Sequence, residues 1–99
     1  MRTAWQIQMD YNRAMNAARR LRAIAGSMDG NANSMGGAIN SINGSWDGEN
    51  SDAYIAKGRK IQNNINTTAD GIRRAASAIE KIARRTRDAE LAAISIAGN

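Results

Sequence analysis

Apolar residues recur in alternating steps of four and three along the first half of the chain: Ile7, Tyr11, Ala14, Ala18, Leu21, Ala25, Met28, Ala32, Met35, Ile39 and Ile42. A stripe with this spacing, kept over five heptads, belongs to a helix that packs lengthwise against another helix. The same spacing restarts at Tyr54 and runs through Gly58, Ile61, Ile65, Thr68, Ile72, Ala75, Ile79, Ile82, Thr86, Ala89, Ala93 and Ile96. Between the two stripes the register stops at NGSWDGEN, residues 43–50. The pattern predicts an all-α chain: a helix over about 3–43, a turn over 44–50, a second helix over about 51–90 and a flexible tail at 91–99. The two helices form one antiparallel hairpin domain.

Local chemistry agrees with these boundaries. Gly44 is suited to a left-handed helix cap, and Asp47-Gly48 to a tight turn. Asn50 or Ser51 is placed to cap the second helix, with Asp52 near its positive dipole end. The segment GSMDGNANSMGG, residues 26–37, is rich in Gly and Asn. Each interior Gly costs roughly 0.5–1 kcal/mol relative to Ala. Met28, Ala32 and Met35 keep the heptad in phase there, so the reading is a weak helix held by packing. A break at 26–37 would give three helices instead.

A lone hairpin cannot enclose so long a stripe, which is widened by Ala17, Ile24, Ala38, Ile55, Ala69, Ala76 and Ala83. Burying an Ile or Leu contributes roughly 1.5–3 kcal/mol, and chain ordering opposes it with a total of similar size. Docking a second hairpin to make a dimeric four-helix bundle resolves the shortfall. The dimer seam assigned from the spacing is Ile7, Tyr11, Leu21, Met28, Met35, Ile39, Ile42, Tyr54, Ile61, Ile65, Ile72, Ile79 and Ile82.

Composition narrows the chemistry. The chain has 99 residues with no Pro, Cys, His or Phe. That removes disulfides, thiolate catalysis, His ligands and His general bases. The first residues, MRTAWQIQMDYNR, have no apolar core of a signal peptide, and no stretch approaches a membrane span. The carboxylates Asp47, Glu49, Asp52 and Asp70 are scattered, and no strand precedes a glycine-rich phosphate loop. The expectation is a protein that is not an enzyme and takes no cofactor or metal.

Charge adds one feature. The net charge is +5, with a balance of +1 over residues 1–50 and +4 over 51–99. Arg73, Arg74, Lys81, Arg84, Arg85 and Arg87 face few acids nearby. A solvated basic face, an acidic sibling in a heterodimer and an anionic surface are all compatible with this. A second function class is therefore a basic helical module on nucleic acid or an anionic membrane surface. Aromatics are not interleaved with the basic residues, so no specific nucleic acid is expected.

Trp46 is the odd member of the turn. By hydrophobicity alone, its indole is suited to fold back and seal the end of the seam. A Trp-x-Gly tripeptide, Trp46-Asp47-Gly48, between two long amphipathic helices of a chain near a hundred residues resembles the WXG family. These are the ESAT-like small substrates and partners of type VII (ESX-like) secretion. The resemblance covers nearly the whole layout. It implies a dimer with itself or a related WXG protein, and recognition by a membrane-bound secretion ATPase. It also implies export after folding in the cytoplasm, without a cleaved signal peptide, and a virulence-related setting that includes larger secreted toxins as partners. Trp46 and Gly48 are then the recognition turn. The family's second export element is Tyr-x-x-x-Asp/Glu after the second helix. Here no Tyr follows Tyr54; Thr86 stands where the aromatic is usual and Glu90 supplies the acid.

Overall fold

A computed structural model describes residues 2–45 and 48–98, with the side chain of Ser45 left aside. It is all-α: α1 spans Ala4–Ser45 and α2 spans Gly48–Ala97, paired as an antiparallel hairpin. Contacts divide the chain into two compact units that each contain part of both helices. The terminal unit is Met1–Arg22 with Arg73–Asn99, and the turn unit is Ala23–Ile72.

The start of α1 is fixed by a reciprocal cap. Thr3 Oγ1 accepts from the Gln6 backbone N–H at 3.1 Å, and Gln6 Oε1 accepts from the Thr3 N–H at 2.9 Å. This satisfies two of the donors that every helix start leaves without partners. The sequence reading missed this Thr-x-x-Gln signal.

Several boundaries differ from expectation. α1 does not end at Gly44, which has no positive φ, but continues through Ser45. Gly48, at φ 77°, is the one described residue with a left-handed backbone, and α2 begins there. Asn50 and Ser51 thus lie inside α2 rather than capping it, and Ser51 is buried. Leu91 to Ala97 continue α2, which corrects the expected flexible tail. With neither Pro nor Gly between 72 and 97, nothing interrupts that helix.

α1 also runs unbroken through 26–37, so the three-helix alternative is excluded. In the turn unit Gln62 Nε2 donates to the Ala32 carbonyl at 3.0 Å. The same nitrogen lies 3.0 Å from where a Cβ on Gly36 would sit, so a larger residue there would crowd it. The absent side chain lets α2 approach and bond the backbone of α1. What this segment lacks in helix propensity is offset by that packing.

The core is small in side-chain terms. Its buried apolar members are Ile7, Ala18, Ala25, Ala32, Ile39, Ala69, Ala76 and Ala83, and no large side chain is fully buried among the described residues. On α1 every position of the alternating stripe is buried or half-buried. On α2 the inward positions are Ser51, Ile55, Gly58, Gln62, Ile65, Ala69, Ile72, Ala76, Ile79 and Ala83. This corrects the stripe read from Tyr54. Gly58, Ile65, Ile72 and Ile79 belong to both sets, but Tyr54, Ile61, Thr68, Ala75 and Ile82 are exposed. The column containing Gly58 and Ile65 has apolar neighbours on both sides, so two four-three stripes can be drawn through it. Packing takes the one that carries alanine, because small residues let two helices approach closely. The bulkier column is left outside.

Candidate docking face and recognition turn

The outer column of α2 repeats every seven residues: Tyr54, Ile61, Thr68, Ala75, Ile82, Ala89 and Ile96. Exposure is 57% at Tyr54, 62% at Ile82 and 76% at Ile96. On α1 the corresponding exposed column is Asp10, Ala17, Ile24, Asn31 and Ala38, of which Ala17, Ile24 and Ala38 are apolar. It runs beside the half-buried Leu21, Met28, Met35 and Ile42.

The opposite flank of each unit is polar. In the terminal unit Arg22 Nη2 donates to Glu80 Oε1 at 2.5 Å and to Ser77 Oγ at 3.0 Å. In the turn unit Arg59 donates to Asn40 Oδ1 at 3.1 Å and to Gln62 Oε1 at 3.1 Å. Each unit therefore has one hydrogen-bonded flank and one flank where aliphatic side chains such as Ile24, Ile61 and Ile82 stay exposed.

A groove of about 250 Å³ opens in the terminal unit, walled by Ile7, Ala14, Ile79, Ile82, Ala83 and Thr86. Arg2 closes one end through ion pairs with Asp10 and with Glu90, the latter at 3.1 Å. Arg87 lies 4.1 Å from the ring centroid of Tyr11. Its hydrogen bond to Asp88 raises the guanidinium pKa further.

Of the residues singled out from the sequence, Ile7 and Ile39 are buried. Tyr11, Leu21, Met28, Met35, Ile42, Ile65, Ile72 and Ile79 are half-buried, and Tyr54, Ile61 and Ile82 face outward. Gly48 starts α2, while Trp46 lies outside the described residues. Thr86 is exposed and Glu90 half-buried; both are in α2 and both border the groove. Sequence reasoning did not find the groove, whose walls come from helix segments some 65 residues or more apart. Among the described residues no cluster of acids suits a metal ion, and no helix is long and apolar enough to cross a membrane.

Comparison with known proteins adds the decisive observation. The family model WXG100, "Proteins of 100 residues with WXG", matches residues 6–91. The chain belongs to the WXG100 family. The match spans most of both helices and includes the Trp46-Asp47-Gly48 tripeptide that gives the family its name. WXG100 proteins are small secreted helical proteins rather than enzymes, and they typically pair with related WXG proteins in type VII secretion. No curated protein and no solved structure matches the chain significantly.

Proposed function

We propose that this WXG100 protein is a non-enzymatic, ESAT-like substrate or adaptor of a type VII secretion system. It acts by docking with a helical partner and by presenting its turn to the secretion ATPase. The exposed seven-residue column on α2 carries the reading. Ile61, Ile82 and Ile96 are exposed while alanines fill the interior, the reverse of what a self-sufficient core selects.

In this reading the apolar flanks of two hairpins meet as a four-helix bundle, with Ile61, Ile82, Leu21, Met28 and Met35 at the contact. Trp46 and Gly48 form the recognition turn. Thr86 and Glu90, which border one groove, act as the second export element. The exported form is the folded one, and a larger secreted toxin is a natural companion. The test is secretion of Trp46→Ala from the native host. The variant should keep its helicity yet fail to leave the cell; export at the wild-type level would overturn the assignment.

A further inference from the structure

Helix-forming tendency is divided between the two units. Every glycine of α1 and α2 lies in the turn unit, Ala23–Ile72. The helical stretches of the terminal unit, 4–22 and 73–97, hold none and are rich in Ala and Arg, two strong helix formers. Gly36 and Gly58 have a packing reason, since a Cβ on either would crowd the facing helix, 3.0 Å from Gln62 and 2.9 Å from Ile39. Gly26, Gly30 and Gly37 have none. All three are exposed inside α1, and nothing lies within 4 Å of a Cβ placed on any of them. Relative to alanine, each lowers the local helix equilibrium about two- to fivefold, and the three together roughly 10- to 100-fold.

Two side chains add to the weakness. Ser41 Oγ donates to the Gly37 carbonyl at 3.1 Å, and Thr67 Oγ1 to the Asn63 carbonyl at 2.9 Å. Bonds to the carbonyl four residues back compete with the helix ladder and slightly destabilise it.

Burial does not offset the difference. Among the described residues the terminal unit buries Ile7, Ala18, Ala76 and Ala83, and the turn unit buries Ile39, Ala25, Ala32 and Ala69. One Ile and three Ala stand on each side, so apolar burial is matched. Bonds across the helices widen the gap. Those of the terminal unit include the ion pairs of Arg2 with Glu90 and Arg22 with Glu80. Those of the turn unit include Gln62 to the Ala32 carbonyl and Arg59 to Asn40, where neither acceptor is charged.

We propose that the turn unit is a built-in opening segment, which unfolds and refolds as one piece while the terminal unit stays helical. A chain of this size ordinarily unfolds all at once. Here matched cores with unmatched helix propensity separate the two units in stability. Trp46-Asp47-Gly48 falls within the turn unit by position. Whatever engages that tripeptide acts on the part of the chain that opens at least cost. It can reshape 23–72 without dissolving the helices of the terminal unit. The inference depends on neither the docking reading nor the export reading.

Native-state hydrogen exchange of the full chain, followed amide by amide at low denaturant, tests it. Three proteins are compared: wild type, the triple variant Gly26→Ala/Gly30→Ala/Gly37→Ala, and Ala78→Gly. Ala78 is exposed on α2 in the terminal unit. In wild type the slowest amides of the turn unit should exchange at least about tenfold faster than the slowest of the terminal unit. The triple variant should slow the turn unit roughly 10- to 100-fold. The terminal unit should slow by the same factor, because global unfolding includes the turn unit. Ala78→Gly should speed the terminal unit about fivefold and leave the turn unit unchanged, because opening the turn unit does not unfold position 78. Ala78→Gly is also made in the triple-alanine background, so that it is read on a folded chain. One common protection level, shifted everywhere by both changes, would overturn the inference. A terminal unit that exchanges faster than the turn unit would overturn it as well. Secretion of Trp46→Ala has no bearing on these rates, so the export reading and this inference fail separately.

Discussion

Ile39 packs against the bare backbone of Gly58: a Cβ on that glycine would lie 2.9 Å from Ile39 Cδ1. Ile39 is buried at 4% exposure, so it has little room to turn aside. Gly58→Ala gains about 1 kcal/mol of helix propensity but incurs an overpacking cost of about 1–3 kcal/mol. The expected outcome is a net loss of up to about 2 kcal/mol, read as a lower melting temperature. A raised melting temperature would show that the two helices do not approach as described.

Gly30 is the control. Nothing lies within 4 Å of a Cβ placed on it, and it is exposed in the middle of α1. Gly30→Ala should stabilise the chain by about 0.5–1 kcal/mol through helix propensity and a less free unfolded chain. A chemical denaturation curve with an unchanged or lower midpoint would contradict a continuous α1.

The reciprocal cap at Thr3 and Gln6 should be visible in a single substitution. Thr3→Ala removes the acceptor for the Gln6 N–H and should cost about 0.5–2 kcal/mol. Hydrogen exchange is the sensitive readout, because the loss concentrates in the first turn of α1. Uniform loss of protection along the helix would count against a local cap.

Arg22 and Glu80 form a partly shielded pair, with side chains 42% and 16% exposed. Glu80→Gln should destabilise by about 0.5–1 kcal/mol in dilute buffer. The difference from wild type should narrow at high salt. Thermal melts at two ionic strengths check this, and a salt-independent difference would assign the effect to packing instead.

The hairpin and its helical spacing were legible in the sequence because heptad periodicity reports directly on lengthwise packing. The family was legible from Trp46-Asp47-Gly48 placed between those stripes. The rotation of α2 was not. Tyr54, Ile61 and Ile82 satisfy the same spacing as Ile55, Ala69 and Ala76, and only packing decides which column turns inward. The sequence reading favoured large side chains for the seam, whereas close approach favoured alanine. Continuity through residues 26–37 was only partly legible, because the bond from Gln62 to the Ala32 carbonyl joins positions 30 residues apart. The division of glycine between the units was hidden for a related reason: the terminal unit combines both ends of the chain, so its glycine-free stretches are not adjacent in sequence.

The central claim is that the outer column of α2 is covered by another helix when the protein works. The chain contains no cysteine, so one introduced thiol can be followed alone. The direct measurement compares maleimide reactivity of Ile82→Cys and Asn33→Cys in intact native host cells and in the purified chain. Both positions are exposed in the isolated hairpin, Ile82 on the apolar flank and Asn33 away from it. The account predicts that the Ile82→Cys thiol is shielded in cells and reactive when purified, while Asn33→Cys reacts equally in both. Equal reactivity of Ile82→Cys in cells and in isolation would contradict it.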